Sequence, residues 1–223
     1  MSAQVLLNFH GLGPPHDQVE PAERPYWIGK EFFDAILNLA DDNPQVPVAF
    51  TFDDGNATDL AIAAPRLKQA GRTASFFVLT SRIGRTHYLS RADLAVLRRQ
   101  GMRIGLHGAD HLDWRRISPE RLYQETVAAR SYLAEIIGTP VTEVAIPFGA
   151  YNPRIIRLLK ELHYSRIYTS DGGWTDTRAR VASRWSIRND MSLSDVAKLL
   201  VREEPFRVRL RRRLSTTKRR YIA

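Results

Sequence analysis

Residues 98–108 read Arg-Arg-Gln-Gly-Met-Arg-Ile-Gly-Leu-His-Gly (RRQGMRIGLHG). A basic helix end stops at Gly101, a short apolar strand follows, and the strand runs into His107 and Gly108. Glycine is the residue that closes a helix with a left-handed cap, and arginines favour the last helical turn. The stretch is therefore the joint of an αβ unit. If it recurs, the chain is a parallel α/β structure.

It does recur. Strands are expected at Val5–Phe9, Pro47–Phe52, Thr73–Leu79, Met102–Leu106, Val144–Ile146, Arg166–Thr169 and Val181–Ile187, as short apolar runs rich in β-branched and aromatic residues. Helices are expected between them. Lys30–Ala40 carries a stripe of Phe32, Phe33, Ile36, Leu37 and Leu39, and Thr58–Gln69 ends at Gly71. Ser90–Gln100 opens with Ser90 and Asp93 at capping-box spacing. Ser118–Ile137 and Asn152–Leu162 open on a capping residue followed by proline, and Ser192–Arg202 opens on Ser-Leu-Ser-Asp. About seven βα units fit a closed (β/α) barrel better than an open doubly wound sheet. The expectation is one domain over residues 1–205, with a basic tail at 206–223.

Composition narrows the class. A chain of 223 residues with 43% apolar and 26% charged residues has length enough for a buried core and is not disordered in character. There is no cysteine, which excludes disulfides and thiolate metal sites. No apolar run approaches membrane-spanning length, and the first residues lack the pattern of a secretory signal. Cytoplasmic residence is the expectation. The excess of 33 Lys+Arg over 24 Asp+Glu is concentrated at residues 207–220, RVRLRRRLSTTKRR. That segment suits an anionic membrane surface as a peripheral contact, an anionic glycan, or simply solvent. Aromatic interleaving and nucleic-acid motifs are absent, so no nucleic-acid partner is expected. Oligomeric state is not legible.

In a barrel, chemistry gathers where strands end. The strand at 47–52 runs into Asp53-Asp54-Gly55. Two adjacent carboxylates repel, and strand alternation would point them apart. Gly55 gives the backbone a turn that lets both face one site. An Asp-Gly turn with a helix-capping aspartate is the plain alternative. At the next strand end His107 and His111 stand four residues apart, a spacing that on a helical turn aligns two imidazoles for a metal. Two surface histidines would read the same way. Two histidines and a carboxylate, with Asp54 the natural one, make a three-ligand site with open positions. Asp53 is then left free to act as a general base. At 145–153, Ala-Ile-Pro-Phe-Gly-Ala-Tyr-Asn-Pro, a strand ends at Pro147. The Phe148 N–H there could meet a developing oxyanion, or the segment could be a plain loop.

Thr-Phe-Asp-Asp-Gly, then His-Gly-Ala-Asp-His, then Ile-Pro-Phe-Gly, in this order from about Val48 to Trp174, resembles the polysaccharide deacetylases of the NodB-homology group, carbohydrate esterase family four. The resemblance implies a distorted (β/α)7 barrel and one divalent metal held by Asp54, His107 and His111. Zn is expected, with Co, Ni or Fe as alternatives, and Asp53 as base. Three departures stand out. The family's arginine two residues before the Pro-aromatic pair is Ala145 here, and Arg184 is a candidate substitute partner for Asp53. The family's Asp–Trp pair has two matches, Asp171 with Trp174, or Trp185. Trp174, Trp185 and Pro147 are the expected substrate-binding residues. The family's closing histidine is missing, since no histidine follows His163.

A branch of the family, the biofilm poly-N-acetylglucosamine deacetylases, carries that last motif at the front and lacks the arginine. The resemblance to it makes Val5–Gly11 the displaced strand and His10 the general acid. His16, His87 and His163 are expected to be structural or surface residues. The implied function is hydrolysis of an acyl group, most often N-acetyl, from a carbohydrate. The alternatives are deformylation or deacetylation of a lipid-linked sugar, and a non-catalytic glycan-binding barrel.

Overall fold

The structure, a computed structural model, describes residues 3–201, 214–217 and 219. Most of the basic tail, including Arg207–Arg213, lies outside the described residues, as does Arg202 at the expected end of the last helix. In chain order the regular elements begin with β1 (Ala3–Phe9), α1 (Lys30–Asp41), β2 (Val48–Phe52), α2 (Ala64–Gln69) and β3 (Ala74–Val78). Next come α3 (Arg91–Arg99), β4 (Arg103–Leu106), α4 (Pro119–Tyr123), α5 (Ala129–Ile137) and β5 (Glu143–Ala145). The last group is α6 (Pro153–Glu161), β6 (Arg166–Thr169), β7 (Thr175–Asp176), β8 (Val181–Ser183), β9 (Trp185–Ser186) and α7 (Leu193–Leu200). Among the described residues no helix is long and apolar enough to cross a membrane.

Parallel pairing runs β1-β2-β3-β4-β5-β6-β8. The expected single strand at Val181–Ile187 is broken at Arg184. Its first half pairs with β6, and its second half pairs with β1, Leu7 opposite Trp185 and Asn8 opposite Ser186. One interrupted strand thus bridges the two ends of the sheet, so a seven-strand ring is nearly closed, with the helices around it. This is the distorted (β/α)7 barrel that the family resemblance implies. The short antiparallel strand β7, paired with Ala3 and Gln4, has no counterpart among the expected strands.

Strand alternation sorts the core from the barrel interior. On β1, Val5, Leu7 and Phe9 join the main core under the helices; on β2, Phe50 and Phe52 do the same. Their rings stack onward, with Phe9–Phe52 at 5.3 Å and Phe52–Phe76 at 4.8 Å. The alternate positions face inward. Leu6, Phe77, Ala145, Tyr168 and Ala182 form a separate buried cluster. Asn8, Thr51 and Asp53 are buried polar residues at the same parity, nearer the C-terminal strand ends. The side-chain period therefore sets His10 and Asp53 on the interior-facing series of adjacent strands.

Helix starts follow their capping chemistry. Ser90 and Ser192 each form a complete capping box with an aspartate three residues on, and Ser118 and Asn152 cap helices that open on proline. Two helices contain a wider turn. Asp59–Ala63 precedes α2, and Gln124–Ala128 joins α4 to α5. Each π-type turn inserts extra backbone into one helical face, which re-aims a side chain.

Candidate metal and active site

Asp53 continues the interior face of β2, and its N–H donates to Phe9 O at 2.9 Å. Asp54 follows with φ 78°, a left-handed conformation that turns its carboxylate back toward the same site instead of across the sheet. Gly55 also has positive φ, and a Cβ there would sit 3.0 Å from Val78, so only glycine completes the turn without strain.

His107 and His111 are brought together by a bent loop and not by the helical turn expected from their spacing. Gly108 has φ 101° and His111 φ 58°, and the two imidazole centroids lie 5.2 Å apart. Glu125, fully buried on its π-type turn, braces this loop. Its carboxylate accepts from the Ala109 N–H (3.0 Å), the Asp110 N–H (3.0 Å) and the Trp114 indole N–H (3.3 Å).

Asp54 Oδ1 lies 3.7 Å from His107 Nε2 and 3.8 Å from His111 Nε2. Ligands about 2.0–2.1 Å from a tetrahedral ion stand about 3.3–3.4 Å apart, so these separations are one small contraction from a coordination face. Asp54 Oδ1 is buried and has no hydrogen-bond partner among the described residues. A buried carboxylate oxygen without a partner is costly unless something else satisfies it. The far nitrogens of both imidazoles are committed elsewhere. His107 Nδ1 meets Ala145 O at 2.9 Å, and His111 Nδ1 meets Glu23 Oε1 at 3.1 Å. Both Nε2 atoms are thereby directed inward. The donor set fits a divalent ion with open positions.

The remaining aspartate is clamped. Arg184, fully buried, donates Nη1 to Asp53 Oδ1 and Nη2 to Asp53 Oδ2, both at 2.8 Å. The same Nη1 reaches Asn8 Oδ1 at 2.8 Å, and Asn8 Nδ2 donates to Asp53 Oδ2 at 3.0 Å. The guanidinium lies over Phe77 and Tyr168, members of the interior cluster that also holds Ala145 and Ala182. Small side chains there suit a guanidinium entering from the late strand, and the pairing with Arg184 is the one expected where Ala145 replaces the arginine.

Charge state follows from these contacts. Burial alone would raise the Asp53 carboxyl, but Arg184, His107 and His10 overcome it and hold it well below the usual carboxylate range. Burial opposes ionisation of Asp54 as well, and the facing His111, His10 and His107 keep it low. Burial pushes His107 down to about 4, against the pull of Asp53. His111 is lowered by burial but raised more by its hydrogen bond to Glu23 and by Asp54, so its net shift is upward.

A cavity of about 210 Å³ is lined by His10, Asp53, His107, His111 and Phe148, with Tyr26, Glu23 and Ser186 among the others. His10, just past the end of β1, packs its ring 4.8 Å from that of Tyr26. Phe148 adopts φ 58°, its ring centroid lies 4.1 Å from that of His111 at a tilt of 33°, and the residue is 60% exposed at the mouth. The expected substrate-binding residues do not fall on this wall. Pro147 is buried, and Trp174 and Trp185 are partly buried against the main core. The Trp185 ring fills the space at Gly172, where a Cβ would approach to 2.6 Å. Asp171 accepts from Tyr151 Oη (2.6 Å) and Thr169 Oγ1 (2.9 Å) and pairs with Arg219. The sequence reading missed the contribution of residues 22–26, which carry no motif.

A second group of ligand-type side chains, His16, Asp17 and His87, lies outside this cavity. The two rings stack at 4.3 Å and 13°, so their in-plane lone pairs run parallel and do not converge on one point. His16 is half-buried and His87 exposed, away from the cavity.

Comparison with known proteins points to one family. The family model described as polysaccharide deacetylase matches residues 40–167. YxkH of Bacillus subtilis is 26% identical over 126 residues, covering 56% of this chain and 45% of that protein. The peptidoglycan-N-acetylglucosamine deacetylase PgdA of Listeria monocytogenes is 27% identical over 165 residues, 69% of this chain and 34% of that protein. The chain thus spans less than half the length of these curated relatives. Among solved structures, IcaB from Ammonifex degensii aligns with TM-score 0.75 and 22% identity over 89% of this chain and 97% of that one. At that identity the likeness speaks for the fold. The Asp-Asp-Gly turn, the paired histidines and the Pro-Phe-Gly loop all fall within the matched region, and the chain belongs to the polysaccharide deacetylase family.

Proposed function

We propose that this protein is a metal-dependent hydrolase that removes an acetyl group, most often N-acetyl, from a carbohydrate. The observation that carries the reading is the pairing of two differently equipped aspartates on one cavity. Asp54 has a buried oxygen with no hydrogen-bond partner among the described residues, facing two imidazole Nε2 atoms, while Asp53 is locked by Arg184 beside it. Asp54, His107 and His111 hold the ion, for which Zn is the first choice. When bound, a divalent ion supplies Lewis-acid polarisation of the carbonyl and acidifies the attacking water.

The chain's own residues do the rest. Asp53, held ionised and fixed in orientation, accepts the proton of the water that attacks the acyl carbon. The Phe148 N–H, on the loop at the cavity mouth, donates to the oxyanion. His10 donates a proton to the departing nitrogen or sugar oxygen, so that the C–N or C–O bond breaks with a neutral leaving group. The exposed Phe148 ring and Tyr26 offer apolar faces to a sugar ring.

The test is acetate release from N-acetylglucosamine oligomers by metal-loaded protein, with the ion counted per chain. Acetate release that is abolished by a chelator and restored by Zn²⁺ is expected. A protein that holds no ion and releases no acetate would instead be a glycan-binding relative.

A further inference from the structure

The segment between β1 and α1 crosses the mouth of the barrel and places Ala22, Glu23 and Tyr26 on the cavity wall. It is firmly seated. Gly13 N–H donates to Ile28 O and Ile28 N–H to Gly11 O, while Asn189 N–H donates to Pro25 O. Trp27 packs flat on Gly11, where any Cβ would fall within 2.3 Å of the indole. Glu23 stands within this strap, outside the region that matches the family model. Its carboxylate is mostly buried, and Oε1 reaches His111 Nδ1 at 3.1 Å.

An imidazole that ligates a metal needs its other nitrogen fixed. A carboxylate or carbonyl on that N–H sets the tautomer, holds the ring plane and strengthens the ligand. His107 takes a backbone carbonyl for this, Ala145 O, which no side-chain substitution removes. His111 takes a carboxylate borrowed from a segment 88 residues away in sequence. Its own backbone, with φ 58°, is already in an uncommon conformation, and its ring has Phe148 on one face. Without Glu23, no hydrogen bond among the described residues fixes the tautomer or ring rotation of His111.

We propose that Glu23 is a positioning residue for the metal centre: it accepts the His111 Nδ1–H, presents Nε2 toward Asp54 and ties ion affinity to the seating of the 12–29 strap. The inference rests on the metal reading above.

The experiment uses the full chain, stripped with a chelator, and measures Zn²⁺ affinity by competition with a chromophoric chelator. The visible spectrum of the Co²⁺ form serves as a second signature. Wild type is expected to take up one ion per chain. Glu23→Ala is expected to bind about tenfold to a hundredfold more weakly and to show an altered Co²⁺ spectrum. Glu23→Gln keeps an acceptor oxygen and is expected to recover part of the affinity, which a loss of packing alone would not allow. Wild type that binds no ion would overturn the metal reading itself. Wild type that binds, with Glu23→Ala indistinguishable from it in affinity and spectrum, would overturn the role of Glu23 alone. A loss in Glu23→Ala with no recovery in Glu23→Gln would also overturn it.

Discussion

Arg184 and Asp53 form a bidentate pair inside the barrel, with the guanidinium fully buried. Removing one partner of such a pair leaves the other charge buried and alone, at a cost of about 3–5 kcal/mol. Arg184→Ala is therefore expected to lower the denaturant midpoint and, by freeing Asp53 to rotate, to cut turnover about a hundredfold. The pH sense is fixed by the direction of the Asp53 shift. Its carboxyl is depressed below the ordinary 3.8 once Arg184 outweighs burial. Its contribution is thus full above that value and is lost as the pH falls below it. Wild type and Arg184→Ala should differ most in stability near neutrality and converge in acid.

Asp59 behaves oppositely. It is fully buried, and burial together with Asp54 and Asp53 raises its carboxyl well above 3.8, against a weaker opposing contact from the Asn56 backbone. A raised carboxyl favours the folded state at low pH and destabilises it as pH climbs. Asp59→Asn should raise the melting temperature of the metal-free protein at pH 7, with a gain that shrinks toward pH 4. Each kcal/mol corresponds to about 2–4 °C in a chain of this size. Thermal melts at both pH values check this.

At the scale of elements, the loop 107–114 matters most. It has no regular structure, yet it delivers two imidazoles to one point because Glu125 gathers three N–H groups from it. Leaving those donors unmet costs about 1–3 kcal/mol each where they stay dry. Glu125→Ala is expected to weaken Zn²⁺ binding and lower the melting temperature together, measured by chelator competition and calorimetry. Glu125→Gln should fall between. The strand ends that carry Asp53, Asp54, His107 and Phe148 were legible because their residue types interrupt apolar runs at turn signals. Glu125 and Glu23 were not. One lies on a helix face shifted by an extra residue of π-type turn, the other on a strap with no periodicity, and neither spacing encodes a contact. Trp174 and Trp185 lie partly buried against the main core and outside the cavity lining, and an aromatic residue near a strand end serves core and substrate equally well in sequence.

At the scale of the molecule, the alternation of strands and helices predicted a barrel, and the ring is completed in a way only coordinates reveal. The final strand breaks at Arg184, so β8 reaches β6 and β9 reaches β1. That break turns the arginine into the interior and joins first and last strands beside His10. The pairing of β1 with β2 sets His10 beside Asp53, and closure adds Arg184 and Ser186 from the late strand to the same site. The sequence contained every member of the site, but the pairing of Asp53 with a residue 131 positions away is set by barrel closure and not by local pattern. The central claim is that His10 serves proton transfer while Asp54, His107 and His111 hold the ion. The direct test is acetate release from N-acetylglucosamine oligomers, with ion content counted in the same samples of wild type and His10→Ala. The account predicts one divalent ion per chain in both and a turnover lower by about a hundredfold or more in His10→Ala. Undiminished turnover in His10→Ala, or loss of the ion with the histidine, would contradict it.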